Sequence, residues 1–137
     1  MYGRQHWCDT RRVLERLRKA LARIDGVVES ESYFTDAPAF WGNGKEIAHF
    51  EGESVVDIRL TRKEIRDRRT QLRADPRVRL RPSSSADWLA VEVCEPADET
   101  FVIELVRAAA EAHRAPPGTT AAPPPTGTYL ARRRQFH

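Results

Sequence analysis

The sequence predicts a single α+β domain in which three helices flank a mostly antiparallel sheet of six strands. Three segments repeat apolar residues at spacings of three and four, and six short segments alternate apolar with polar residues. The first four alternating segments are separated only by short turns, which is typical of an antiparallel meander. A chain of 137 residues has room for one such domain.

The first helix is predicted over residues 9–26. Asp9 or Thr10 can cap its start, and Gly26 suits the left-handed backbone position just past its end. One stripe of the helix is apolar and consists of Val13, Leu14, Leu17, Leu21 and Ile24. The opposite face is charged, so that face is expected to meet solvent.

The meander is predicted to consist of strands at residues 27–34, 39–41, 45–50 and 55–60. Gly-Asn-Gly at residues 42–44 offers the positive φ angles that a hairpin turn requires. In the last of these strands the apolar residues on one face are Val56, Ile58 and Leu60. Alternation places Asp57 on the other face.

A basic helix is predicted from Thr61 to about Ala74, and Thr61 with Glu64 matches a capping box. Only Ile65 and Leu72 are available to anchor this helix, so a surface position is expected. The remaining predicted elements are a strand at 77–82, a serine-rich loop at 83–87, a strand at 88–94 and a helix at 97–113.

The composition changes after His113. Residues 1–113 are predicted to form the folded domain, and residues 114–137 are predicted to be disordered because they are rich in Pro, Thr and Ala without periodicity. No apolar signal segment and no run of membrane-spanning length is visible, so a cytoplasmic location away from membranes is expected. Cys8 and Cys94 are expected to be separate thiols.

A candidate catalytic pair is formed by His49 and Asp57. Strict alternation puts His49 and Glu46 on opposite faces of one strand. If the next turn centres on Gly52 and Glu53, His49 pairs near residue 56, and a bulge or register shift would bring it beside Asp57. A histidine held by a carboxylate can act as a general base. The alternative is a strand histidine that is hydrogen-bonded without chemical function.

Other catalytic motifs are absent from the sequence. The four histidines have no H-x-x-x-H or H-x-H spacing, so no metal site is predicted. No P-loop, Gly-x-Ser-x-Gly elbow or dinucleotide-binding fingerprint is present. Trp41 and Trp88 each stand beside a polar turn, where they can wall a pocket for a planar ligand or close the end of the core.

The segment from Arg59 to Arg81 contains ten Lys or Arg against three acidic residues. Such a block is either a solvated surface or a phosphate-binding face. The residues of the second interpretation are Arg62, Lys63, Arg66, Arg69, Arg77, Arg79 and Arg81. No aromatic residue interleaves them in the way that base stacking would need, so only weak nucleic-acid binding without sequence preference is expected.

Residues 9–113 resemble the luciferase domain, which occurs in small bacterial proteins and in the fungal luciferases. The resemblance depends on a Gly-Lys-Glu-Ile-Ala-His strand, an Asp-Ile strand eight residues later, a basic helix, and a serine-rich loop that ends in Trp. The matching positions are Gly44, Lys45, Glu46, Ile47, His49, Asp57, Ile58 and Trp88. The family often has a second histidine two residues after the first, and Glu51 stands there in this chain.

The resemblance implies a function but does not decide whether the chain is an enzyme. Fungal luciferases oxidise a hydroxylated pyrone with O₂ and need neither a metal nor a flavin, so no cofactor is expected. We therefore expect a pocket for a small planar molecule, bounded by His49, Asp57 and Trp88, with Trp41 and Lys45 contributing to binding. The alternative is a nucleic-acid-binding or interaction module that uses the basic helix and the Arg-rich strand.

Overall fold

The computed structural model describes residues 8–81 and 86–125, and its sheet has six strands that are all paired antiparallel. The strands are β1 (Val28–Glu31), β2 (Pro38–Gly42), β3 (Lys45–Glu51), β4 (Val55–Arg59), β5 (Val78–Leu80) and β6 (Trp88–Glu92). Their order across the sheet is β1-β2-β3-β4-β6-β5. The predicted α+β class and meander are therefore confirmed. Residues 1–7 and 82–85, which include most of the predicted serine-rich loop, lie outside the described residues.

The helices are α1 (Thr10–Ala22), α2 (Arg62–Asp67), α3 (Arg69–Ala74) and α4 (Pro96–Ala112). The basic helix predicted as one element is two short helices, separated at Arg68, where ψ is 8°. Each carries one buried apolar residue, Ile65 in α2 and Leu72 in α3. The predicted cap is present, because the Thr61 hydroxyl accepts a hydrogen bond from the Glu64 amide at 3.2 Å.

Helices α1 and α4 cover one face of the sheet and pack on each other. The sheet contributes a row of apolar residues to this core, which runs across β2, β3, β4 and β6 as Phe40, Ala48, Ile58 and Leu89. All four side chains are fully buried. The apolar stripe of α1 and the inner side of α4 pack against these sheet residues. This face of the sheet is therefore closed to ligands. The opposite face is available for chemistry.

Cys8 and Cys94 are paired in a disulfide, with their Cα atoms 5.4 Å apart. The expectation of two separate thiols is therefore wrong. Cys8 lies just before α1, and Cys94 lies between β6 and α4. The starts of these two helices are side by side, as the 2.9 Å ion pair between Arg16 and Glu99 also shows. A separation of 86 residues gave no indication of this proximity. The cytoplasmic location stays a prediction.

The chain after α4 returns to the turn between β2 and β3. The Ala122 amide donates to the Asn43 side-chain oxygen at 2.9 Å, and a Cβ atom at Gly44 would lie 2.9 Å from that of Ala122. Disorder of residues 114–137 stays a prediction, and residues 126–137 lie outside the described part of the chain. Among the described residues, no helix is both long and apolar enough to cross a bilayer.

Candidate functional site

A β-bulge in β3 brings a second carboxylate to His49. Phe40 of β2 pairs with Ala48, but the next residue, Trp41, pairs with Glu46, so Ile47 is an extra residue in the ladder. Ile47 and Ala48 are consecutive and both lie in the hydrophobic core. As a result Glu46 and His49 share the opposite face of the sheet. The expectation that they lie on different faces is wrong, because it assumed unbroken alternation.

The turn between β3 and β4 places Asp57 directly opposite His49. Glu51 pairs with Val55 across a three-residue connection, and His49 pairs with Asp57. Gly52, in that connection, has a φ of +64°. A two-residue turn would have paired His49 with Val56, so the longer loop supplies the one-residue shift that the candidate pair requires. The Nε2 atom of His49 lies 3.0 Å from Oδ2 of Asp57.

Glu46 holds both the histidine and the segment that covers it. Its Oε2 atom lies 2.7 Å from His49 Nδ1 and also accepts a 2.7 Å hydrogen bond from the Ser32 hydroxyl. Its other oxygen accepts from the Tyr33 amide. The contact between Glu46 and the His49 ring is an ion pair when the imidazole is protonated. The Ser32 hydroxyl in turn accepts from the amides of Phe34 and Thr35, each at 3.0 Å.

The imidazole of His49 keeps its proton at neutral pH. Burial alone would lower the pKa of His49, but its contacts with Asp57 and Glu46 outweigh burial and raise the pKa to about 9. Burial would likewise raise the pKa of Asp57, but hydrogen bonding, first of all with His49, lowers it to about 2. His49 is therefore a buried cation between two carboxylates, and in this state it donates protons and does not act as a base.

A pocket of about 240 Å³ opens beside this charged group. It is lined by Phe34, His49, Glu51, Asp57, Arg81 and Trp88. The His49 ring lies 5.2 Å from Trp88 and 5.6 Å from Phe34, centroid to centroid, and Phe34 meets Trp88 edge to face at 5.6 Å. The Arg59 guanidinium lies over the Trp88 ring at 5.2 Å and helps to fix its position. The pocket thus has aromatic walls and a charged floor.

Comparison with known protein families identifies the segment that supplies this floor. The family model described as Luciferase domain matches residues 44–109. The matched segment begins at the turn before β3 and ends within α4, so it contains His49, Asp57 and Trp88. Residues 44–109 belong to the luciferase-domain family. No curated protein and no solved structure shows significant similarity to the chain.

The luciferase-domain segment supplies five of the six pocket residues, and Phe34 comes from the preceding connection between β1 and β2. His49, Asp57 and Trp88 come together as the sequence predicted. Trp41 does not line the pocket: it is 4% exposed, and its indole N–H donates to the Glu31 carbonyl at 3.0 Å. Lys45 is exposed at the start of β3 and is also outside the pocket lining.

Three pocket residues were missed by sequence reasoning. Phe34 lies in a loop that is held by hydrogen bonds to Ser32 and Glu46, and nothing in its own sequence context predicts its position. Arg81 follows the edge strand β5 and reaches Asp57 Oδ1. Glu51 lies with its Oε2 atom 3.5 Å from His49 Nε2. Glu51 could have been found, because it lies two residues after His49 in β3, where alternation places both side chains on one face.

Glu51 also completes a group of three possible metal ligands in the luciferase domain. His49, Glu51 and Asp57 each offer one donor atom, and the three donors lie within 4.8 Å of one another. Contact with Asp57 raises the pKa of Glu51 above its ordinary value, and partial burial adds to this effect. The side chain of Glu51 is half exposed, whereas those of His49 and Asp57 are almost fully buried. The sequence analysis predicted no metal site because it considered spacings between histidines, whereas this cluster joins one histidine to two carboxyl groups.

The basic residues of the alternative function are partly neutralised in the structure. Lys63 pairs with Asp67 at 2.7 Å, and Arg79 lies 3.8 Å from Glu92. Arg77 is bound between Asp75 and Asp98, at 2.7 and 3.2 Å. Arg81 in turn reaches Asp57. At least four of the seven predicted phosphate-binding side chains therefore contact carboxylates within the described part of the chain.

Proposed function

We propose that the luciferase domain binds a small planar molecule, an aromatic, enol or pyrone-like compound, in the pocket beside His49. The observation that carries this proposal is the combination of two aromatic walls, Phe34 and Trp88, with a floor of buried paired charges. Most ligand pockets are apolar with a few convergent polar groups, and this pocket has that composition. Among the described residues, the opposite face of the sheet is covered by the hydrophobic core.

The size of the pocket limits the ligand to one or two rings. Its volume of about 240 Å³ is below the range of roughly 300 to 1,000 Å³ that is usual for drug-sized ligands. The planes of Phe34 and Trp88 meet at 83°. A flat ligand can therefore stack on one ring while its edge faces the other, which is a favourable geometry for both contacts.

The polar groups of the pocket suit an acidic oxygen on such a ligand. The Arg81 side chain is 40% exposed and can donate to an enolate or phenolate oxygen. Glu51, the more exposed carboxyl group of the floor, is the group that can exchange a proton with the ligand. Oxidation of the bound compound by O₂ is the reaction that the family resemblance suggests, and oxygen consumption without added flavin would measure it.

Ligand binding can be tested with a set of monocyclic and bicyclic phenols and hydroxypyrones, by calorimetry in the presence of EDTA. We expect at least one compound to bind, and Phe34→Ala and Trp88→Leu to weaken it roughly two- to tenfold, which corresponds to the loss of one aromatic contact. Trp41→Phe is the matched control, because that indole lies outside the pocket lining. Failure of every compound to bind, or equal affinity in all variants, would reject the proposal.

Nucleic-acid binding remains the competing function and differs in its salt dependence. Binding through seven Lys or Arg side chains would lose on the order of a thousandfold in affinity or more between low and physiological salt, because counterions are released. A ligand in the aromatic pocket should bind with little salt dependence. We expect DNA binding weaker than about micromolar at physiological salt. Tight binding that is lost in the double variant Arg66→Ala with Arg69→Ala would favour the alternative.

A further inference from the structure

We propose that His49, Glu51 and Asp57 form a binding site for a divalent first-row transition-metal cation. The imidazole supplies Nε2 and the two carboxylates supply one oxygen each, with all three donors within 4.8 Å of one another. His49 is 5% exposed and Asp57 4% exposed, so two of the three ligands are fixed in the sheet. The third, Glu51, lies at the end of β3 and can adjust to the ion.

Two of the three separations between the donors fit a common coordination sphere. Bonds of about 2.0 to 2.2 Å that meet at roughly 90 to 110° place neighbouring donors about 2.8 to 3.6 Å apart. His49 Nε2 lies 3.0 Å from Asp57 Oδ2 and 3.5 Å from Glu51 Oε2. A cation can therefore replace the proton that Nε2 now carries, which is released to solvent, without a movement of the strands.

Each buried ligand has an outer partner of the kind that metal sites use. A metal-bound histidine usually gives its other N–H to a carboxylate, and His49 Nδ1 lies 2.7 Å from Glu46. Glu46 is itself fixed by the Ser32 hydroxyl and the Tyr33 amide. The non-coordinating oxygen of Asp57 is held by Arg81.

The charge of the cluster also favours a divalent ion. Three carboxyl groups, those of Glu46, Glu51 and Asp57, lie within 3.5 Å of the His49 ring nitrogens, and the Arg81 guanidinium is a permanent cation that contacts Asp57. A divalent cation among these groups would add positive charge where carboxylates predominate. Buried charge is costly unless it is balanced, so metal binding would stabilise this arrangement.

The donor set indicates the class of metal. One imidazole with two carboxylates suits zinc, iron, cobalt or manganese better than magnesium or calcium, which prefer oxygen ligands alone. The remaining coordination positions would face the aromatic pocket. This site goes beyond the proposed ligand binding and does not depend on it, since the ion can be measured alone. It also differs from the metal-free reaction that the family resemblance implies.

The test is calorimetric titration of the full chain with Co²⁺ near neutral pH in a non-coordinating buffer. We expect one saturable site, and Glu51→Gln to weaken it at least about tenfold. Glu53→Gln is the matched control, because Glu53 is an exposed acid two residues away in the same hairpin and lies outside the cluster; its affinity should equal that of the wild type. Glu51 is half exposed, so this variant should fold, and circular dichroism would verify it.

Proton NMR of the Co²⁺-loaded protein identifies the histidine. We expect one strongly shifted resonance that disappears in D₂O, from the Nδ1–H of His49, and its absence in His49→Gln. Lack of saturable Co²⁺ binding, equal affinity of Glu51→Gln and wild type, or a spectrum without a shifted exchangeable imidazole proton would each overturn the proposal. Binding of planar compounds in EDTA is measured separately, so failure of the metal site would not be confused with failure of the ligand pocket.

Discussion

The buried imidazolium of His49 should make the stability of the metal-free protein fall between about pH 6.5 and 9. The folded-state pKa of His49 is about 9, whereas an unfolded histidine titrates near 6.5. Because the folded pKa is raised, the stabilisation is fully present below pH 6.5 and is lost as the pH rises through 9. Within this window the native state binds one proton more than the unfolded state. The free energy of unfolding should then fall by about 1.4 kcal/mol per pH unit, or about 3 kcal/mol in all.

The assay is urea denaturation at a series of pH values in EDTA, followed by the circular dichroism of the helices. The variant His49→Gln would leave Glu46 and Asp57 buried without their cation, and its free energy of unfolding would fall by about 3 to 5 kcal/mol. The second measurement is therefore made on the wild type, as an NMR titration of the His49 imidazole. His113 serves as an internal comparison, since burial lowers its pKa and its contribution has the opposite sign. A flat stability between pH 6.5 and 9, or an imidazole of His49 that titrates near 6.5, would contradict this prediction.

Two other predictions concern the contacts between distant parts of the chain. Replacing Cys8 and Cys94 by serine should lower the free energy of unfolding by about 2 to 5 kcal/mol, because the disulfide closes a long loop; equal urea midpoints with and without the disulfide would contradict this. Gly44→Ala should lower the free energy of unfolding by about 1 to 3 kcal/mol, since φ is +77° and the new Cβ would meet Ala122. Deleting residues 114–137 from this variant should remove the contact with Ala122 but not the backbone strain. That deletion by itself should change the thermal midpoint little, because the contacts it removes are exposed and include one hydrogen bond to Asn43 and a 3.9 Å ion pair between Arg114 and Asp25. A loss of several degrees would show that the segment packs.

The sequence was sufficient for the order of the elements and for part of the site. Alternation and helical spacing located the sheet and the packed faces, because burial of one face leaves a regular pattern in the residues themselves. The same alternation, with the resemblance to the luciferase domain, led to His49, Asp57 and Trp88. These three residues come together since their strands are adjacent and their side chains face the same way.

The missing parts of the site depend on irregularities that a periodic pattern does not record. Glu46 lies on the same face as His49 because β3 contains one extra residue, Ile47. Isoleucine is common in regular strands, so its identity does not indicate a bulge. Phe34 is placed by the hydrogen bonds of a loop, and Arg81 by the end of an edge strand. The pairing of Cys8 with Cys94 depends on the packing of α1 beside α4, which is a property of the whole fold.

The bulge at Ile47 determines which charged side chains share one face of the sheet. In a straight strand, residues three apart face opposite ways, so a Glu-x-x-His sequence cannot unite its two charges. Because Ile47 is an extra residue in the ladder, Glu46 and His49 share a face although they are three positions apart. Deleting Ile47 together with the bulge would leave the two charged residues two positions apart and still on one face. Straightening the strand without a deletion would instead turn Glu46 towards the hydrophobic core, so the pair depends on the match between sequence length and strand geometry.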